Sequence, residues 1–319
     1  MHLFESLDAI PRDFGPAVVT VGNFDGIHRG HRQLLESIRQ RAKELNAKSV
    51  LVTFNPHPAR ILTPHGGPPL ITPMPTKMEI LRQSGIDATV VIPFNRDLSM
   101  MPAFEFAEEV LANRLHAIEI HEGFNFHFGH KAEGSVERLT EFGKKLGFTV
   151  VDHDPIRWGG MVISSSNTRR LIAEGRVEAV RHLLGRVFRM DSNPGRGRGY
   201  GTKYTVPTVN LARYDELTPA FGVYVTEVTI NGECFQAVTN IGNRPTFGAD
   251  SFAIESYLFN FHPIDLSNET PVQVSFLHRL RGEIRFPSVD ALKEQIGRDV
   301  QKAERYFRLR DAVRGKPNV

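Results

Sequence analysis

"VGNFDGIHRGHRQLL", residues 21–35, joins an apolar run to a basic helix through a turn carrying two histidines three residues apart. Upstream, "AVVTVG" (17–22) is short and valine-rich, the composition of a strand buried on both faces. Downstream, "RGHRQLLESIRQRAKELN" (29–46) places Leu34, Leu35, Ile38, Ala42 and Leu45 on one stripe, which predicts an amphipathic helix. A buried strand leading into a helix is the first step of an alternating chain, and the fold class turns on whether the alternation continues.

It does. "KSVLVTF" (48–54) reads as a strand, "TKMEILRQSG" (76–85) as a helix closed by glycine, and "DATVVIPF" (87–94) as the next strand. "PAFEFAEEVLANRL" (102–115) is a helix with Pro102 in its first turn, followed by the strand "HAIEIHE" (116–122). A helix at 135–147 and a strand at 148–154 complete the series. Strands alternating with helices of this length predict an α/β domain with a parallel sheet covered on both faces. In such sheets ligands sit beyond the carboxyl ends of the strands.

The pattern changes after about residue 185. "FGVYVTEVTI" (221–230), "ECFQAVTNIG" (233–242), "FAIESYLFNF" (252–261) and "PVQVSFLHRL" (271–280) alternate like strands, with Asn231-Gly232 as a tight turn. These segments predict an antiparallel barrel or sandwich. A long helix over 288–313 follows, and its apolar residues Leu292, Ile296, Val300, Ala303 and Phe307 recur at helical spacing, so the expectation is that it packs on the barrel. The expected division is therefore 1–185 and 186–319.

Composition narrows the class. The 319 residues are 40% hydrophobic and 24% charged, a globular balance with ample material for two cores. The net charge of +3 is too small for a protein that coats nucleic acid, but leaves room for local phosphate sites. Cys234 is the single cysteine, so neither an internal disulfide nor a cysteine-based zinc site can form. The first residues, "MHLFESLDAIPRDFG", lack the basic end and apolar core of a signal peptide. No apolar run approaches the roughly 20 residues that a membrane helix needs. The expectation is a cytoplasmic protein with no membrane partner and no nucleic-acid partner, while a homo-oligomer stays compatible with the sequence.

The turn at 22–31 has the chemistry of an anion site. Gly22 lets backbone approach a ligand, and the helix that follows offers unpaired N–H groups at its start. His28 and His31 can face the same side from that helix start. Backbone donors, a helix dipole and two imidazoles suit a triphosphate, whereas a cation would be repelled there. The competing reading is a plain strand–turn–helix with surface histidines. Asp25 either turns toward a metal or caps the turn, and the cap is favoured.

"GNFDGIHRGH" resembles the His-x-Gly-His signature of nucleotidyltransferases, in the version found in bacterial bifunctional riboflavin kinase/FMN adenylyltransferases. "TFNPHPARIL" (53–62), "GFNFHFGHKAEG" (123–134) and "ISSSNTRRLIAEGRVEAVRHLLGR" (163–186) are similar to further segments of that family. The resemblance implies a Rossmann-like nucleotidyltransferase domain followed by a riboflavin kinase-like barrel. ATP is the implied co-substrate, riboflavin, FMN and FAD the substrates and products, and Mg²⁺ the cofactor. Adenylyl transfer needs positioning and charge neutralisation rather than an enzyme nucleophile. His28 and His31 are then expected to hold the phosphates, helped by Gly22, Phe24 and Gly30. Ser164, Ser165, Ser166 and Arg169 are expected to clamp the pyrophosphate. Asn125 is expected at the flavin nucleotide, and His57, between two prolines, either touches it or shapes the loop.

In the second half, "PTVNL" (207–211) resembles the family's Pro-Thr-Ala-Asn motif, which implies that Thr208 and Asn210 hold Mg²⁺ and ATP phosphates. "FGVYV" (221–225) and "NIGNRPTF" (240–247) are similar to other kinase segments. Glu255 matches the carboxylate implied as the base for the ribityl hydroxyl. Two departures stand out. Thr205-Val206 replace the usual Gly-Phe, and the first valine-rich strand is not recognisable upstream of the loop "PGRGRGYG" (194–201). Asn167 and Thr168 also differ from the motif. These departures set beside the bifunctional reading an adenylyltransferase whose second half is a flavin-binding module with weak or absent kinase activity. A third reading, a flavin or nucleotide sensor without turnover, is opposed by the intact histidines and the 164–169 run.

Overall fold

The computed structural model describes residues 1–195, 208–212, 214–243, 252–262, 264 and 266–314. Thr205-Val206, positions 196–201 of the glycine-rich loop and positions 244–247 of "NIGNRPTF" lie outside the described residues. Two compact units emerge, Met1–Ser165 and Ser166–Val319.

The first unit is built on a sheet of six strands: β1 (His2–Phe4), β2 (Ala17–Val21), β3 (Lys48–Asn55), β4 (Ala88–Pro93), β5 (Ala117–Gly123) and β6 (Thr149–His153). Their spatial order is β1-β4-β3-β2-β5-β6, and every pair is parallel. The composition explains the layering. Every residue of β2 is buried, because helices cover both faces. On one face Val18 and Leu51 meet Leu35, Ile38 and Ala42 of α1 (Arg29–Glu44), with Met78 and Leu81 of α3 (Met74–Arg82). On the other, Val19, Val21, Val50 and Val90 meet Phe106, Val110, Leu111, Leu139 and Phe142. The expected helix over 102–115 begins as an α-helix at Ala103–Phe106 and continues with π-type hydrogen bonds over Ala107–Arg114. β1 was not foreseen, being too short for a readable period, and it adds to the sheet edge at β4.

The strand order has a direct consequence for function. From β2 the chain winds outward through β3 and β4, then returns to the other side of β2 for β5 and β6. The crevice beyond the carboxyl ends of β2 and β5 is the point where the winding reverses, and ligands bind at such points. The turn after β2 is the 22–28 segment.

The second unit holds a six-stranded antiparallel sheet with order β10-β13-β12-β11-β14-β9. Its strands are β9 (Phe188–Ser192), β10 (Thr208–Asn210), β11 (Gly222–Ile230), β12 (Glu233–Asn243), β13 (Phe252–Leu258) and β14 (Val272–Gly282). The edge strands β9 and β10 meet just past their ends, where Gly195 N–H donates to Asn210 O at 2.8 Å and Ala212 N–H to Asn193 O at 2.8 Å. The sheet thus curls into a half-barrel around Tyr224, Val228, Ile241, Ile254, Val274 and Phe276, all buried. Three hydroxyls cross this interior in a chain, Thr226 to Thr239 at 2.7 Å and Thr239 to Ser256 at 2.8 Å, so each buried polar atom has a partner. β9, like the three-residue β10, is a strand that the sequence did not reveal. It lacks valines, and Phe188 and Met190 supply its inward face.

The compact units divide at Ser165/Ser166. Helices α7 (Ser165–Ala173, all but its first residue) and α8 (Val177–Leu184) go with the barrel, because α8 is tied to β14. Glu178 accepts from the Arg279 N–H at 2.9 Å and pairs with His278, while Arg279 Nη1 donates to Glu174 O at 3.0 Å. The long helix Val289–Arg314 packs on the sheet through only part of its expected stripe. Ala303 and Phe307 are buried against Val223, Val225 and Val238, whereas Leu292 and Ile296 are exposed. Among the described residues no helix is long and apolar enough to cross a membrane.

Candidate active sites

The first site grows from the end of β2. Gly22 N–H donates to Val52 O at 3.0 Å, which closes the strand. The chain then turns through Phe24 (φ 47°), Gly26 (φ 87°) and Ile27 (φ 37°). His28 caps α1: its Nδ1 accepts from the His31 N–H at 3.3 Å. The His28 and His31 rings stack with centroids 3.7 Å apart, and Phe24 stacks on His31 at 4.4 Å. The two histidines therefore converge at a helix N-terminus, on a floor made by Phe24, which is itself buried in the core. Gly30 is part of this arrangement, because a Cβ there would lie 3.2 Å from the His28 ring.

The turn is anchored from behind by buried polar groups. Asp25, 1% exposed, accepts from Ile71 N–H at 3.0 Å and Thr72 N–H at 3.0 Å, so it serves as a cap between loops. Ser165 Oγ donates to Asp25 O at 2.8 Å. Ser165, a member of the expected clamp, thus tethers the turn through its hydroxyl proton. Ser164 precedes it, while Ser166 and Arg169 lie on α7 within the second unit. Two anchors were not foreseen. Lys77 Nζ donates to Asn23 O at 2.7 Å. Glu122, at the end of β5, accepts from Val21 N–H at 2.6 Å. Burial raises Glu122 well above the usual carboxylate range, and the Val21 N–H opposes this only in part. Lys77 looks like an ordinary helix-surface lysine in sequence, and only an acid inside the apolar "AIEIHEG" hinted at Glu122.

Asn125 is exposed in the turn after β5, closed by Phe126 N–H to Gly123 O at 2.9 Å. It lies beyond the same carboxyl ends as the histidine pair. His57 takes a structural position: its Nδ1 accepts from Ala59 N–H at 3.2 Å as the cap of the short helix Pro58–Leu62.

The second site lies on the half-barrel. Strand register brings its expected residues together. Asn210 on β10 stands directly opposite Glu255 on β13, and Thr208 opposite Tyr257. On the other side of Glu255 stands Asn240 of β12. Side chains directly opposite in an antiparallel pair share a face. Asn210, Glu255 and Asn240 therefore form a polar row, while the alternate residues Val209, Ser256 and Thr239 point into the core. Asn240 joins the set only through this register.

Known proteins bear on both sites. Residues 10–167 match the FAD synthetase family and residues 184–307 the riboflavin kinase family. A bifunctional riboflavin kinase/FMN adenylyltransferase of Haemophilus influenzae is 32% identical over 96% of this chain and 99% of its own length. One of the same name from Pseudomonas fluorescens is 33% identical, covering 95% and 97%. Among solved structures, a macrolide-efflux protein from Streptococcus pneumoniae superposes with a TM-score of 0.84 at 27% identity, covering 95% of this chain and 98% of that one.

Proposed function

The chain belongs to the bifunctional riboflavin kinase/FMN adenylyltransferase family, and from that premise we propose how its residues divide the two reactions. The protein phosphorylates riboflavin to FMN and adenylylates FMN to FAD. The efflux name of the Streptococcus pneumoniae relative is not carried over, since the enzyme name agrees with both family matches.

In adenylyl transfer an FMN phosphate oxygen attacks the α-phosphorus of ATP, and the bond to the bridging oxygen breaks to release pyrophosphate. The observation that carries this assignment is the stacked His28–His31 pair at the start of α1, in the crevice where the winding reverses. Helix N–H groups and imidazoles there neutralise charge on the α- and β-phosphates as the bond breaks. Gly22 and Gly30 let the triphosphate approach, and Phe24 supports His31 from below. Ser164, Ser166 and Arg169 meet the pyrophosphate, Ser165 holds the turn, and Asn125 contacts the flavin nucleotide. His57 shapes its loop.

In the kinase reaction the riboflavin 5'-hydroxyl oxygen attacks the γ-phosphorus, ADP leaves, and Glu255 takes the hydroxyl proton. Thr208 and Asn210 offer hard oxygens, donors that fit Mg²⁺ shared with ATP phosphates. When bound, Mg²⁺ supplies charge neutralisation at the transferring phosphoryl group. A cytoplasmic location accompanies this reading.

The test is an assay of the full chain with Mg-ATP and either riboflavin or FMN, with products separated by chromatography. The expected result is FMN and FAD from riboflavin and FAD from FMN. FAD from FMN with no product from riboflavin would remove the kinase assignment.

A further inference from the structure

Lys77 is nearly sealed from solvent, at 3% exposure, on a helix whose neighbours are apolar. A buried ammonium costs free energy unless its donors and charge are used. This one ends on the backbone of the phosphate turn, 2.7 Å from Asn23 O, where Thr53 Oγ1 also donates at 3.3 Å. The charged group whose field reaches it is Asp25, which favours the ammonium form and caps the same turn two residues later. Lysine therefore sits behind the turn, on the side away from solvent, with its position determined by the peptide it holds.

We propose that Lys77 is a positioning residue for adenylyl transfer, holding the Asn23–Phe24 peptide and placing a standing positive charge behind the turn that receives the ATP phosphates. Two physical effects follow. A cation on the Asn23 carbonyl polarises the peptide and makes the Phe24 N–H of the same unit a stronger donor. A charge in a low-dielectric setting also reaches an anion nearby with little screening. Burial pushes the Lys77 ammonium down to about 8, against the opposing field of Asp25. At that value about nine-tenths of it stays protonated at about pH 7, so the charge is present under working conditions. The inference rests on the reading that the His28–His31 turn binds ATP.

The experiment compares wild type, Lys77→Met, Lys77→Arg and His31→Ala as full-length proteins, with steady-state kinetics in Mg-ATP and FMN. Methionine keeps the length and apolar stem while removing the charge. The expected result is a KM for ATP raised by about tenfold in K77M with kcat changed less than about threefold, and largely restored in K77R. Far-UV circular dichroism and the thermal midpoint of the same preparations report intact protein. A K77M KM for ATP within about twofold of wild type, with H31A inactive in FAD formation, overturns the role of Lys77 alone. Undiminished FAD formation in H31A overturns the underlying reading of the turn. Should K77M not accumulate as folded protein, wild type and K77R are compared across pH. The KM for ATP is expected to rise between about pH 7 and about pH 9.5 in wild type and stay level in K77R, and identical profiles would overturn the inference.

Discussion

Glu122 and Asp25 are both carboxylates removed from water at the turn after β2, and their surroundings differ. Asp25 accepts N–H bonds from both Ile71 and Thr72, whereas Glu122 has one backbone partner and is otherwise surrounded by the sheet. Burial therefore dominates at Glu122 and shifts it toward the protonated form. The consequence for stability has a definite sign. Below pH 4.5, the ordinary carboxyl value, folded and unfolded chains both hold the proton. Above it the unfolded chain releases the proton first, so the stability that Glu122 contributes declines as pH rises through its folded value. Glu122→Gln keeps an acceptor for Val21 N–H and cannot ionise. Its thermal midpoint relative to wild type should be near zero difference at about pH 4 and increasingly favourable toward about pH 8. Calorimetry of the first unit's transition checks this, and a difference independent of pH would contradict it. Asp25 was legible in the sequence because an acid in a Gly-flanked turn has few other jobs. Lys77 and Glu122 were not, since local sequence does not say which residues a fold will bury.

At the scale of elements, the long helix Val289–Arg314 shows how periodicity predicts a face but not its partner. The stripe from Leu292 to Phe307 is continuous in sequence, yet the buried apolar contact with the sheet is made by Ala303 and Phe307, with half-buried Tyr306 between them. Phe307 is 2% exposed and Leu292 is 38% exposed. Phe307→Ala should destabilise the second unit by about 3–4 kcal/mol through lost burial and the cavity left behind. Leu292→Ala should shift it by less than about 1 kcal/mol. Urea titration of riboflavin phosphorylation and of far-UV circular dichroism distinguishes the two, and equal effects would mean that the helix packs along its whole stripe. The strands show the same division. Alternation disclosed β11 to β14, whereas β9 and β10 are short and depend on pairing for their existence. β10 nevertheless carries Thr208 and Asn210, so the kinase motif was readable as residues before it was readable as a strand.

For the whole molecule, the proposed assignments make the two chemistries separable, because His28 and His31 lie in the first compact unit and Thr208, Asn210 and Glu255 in the second. His31→Ala is expected to phosphorylate riboflavin and stop at FMN. Glu255→Gln is expected to leave riboflavin untouched and still convert FMN to FAD. Neither variant alone should make FAD from riboflavin, and an equimolar mixture should, as FMN released by one is taken up by the other. Chromatography of the mixture over time checks this, and failure of the mixture with both single activities present would mean that FMN is not exchanged between molecules. The sequence by itself determined the two-part architecture, the strand–turn–helix that carries His28 and His31, and the bifunctional reading, because strand and helix periods and contiguous motifs are local and survive without knowledge of packing. Tertiary structure alone decided that His28 and His31 stack at the reversal of a parallel sheet, that Asn210, Glu255 and Asn240 form one row, and that Lys77 reaches the turn from behind. Those facts depend on strand order, register and burial, which bring together residues far apart in the chain, and no window of sequence contains them.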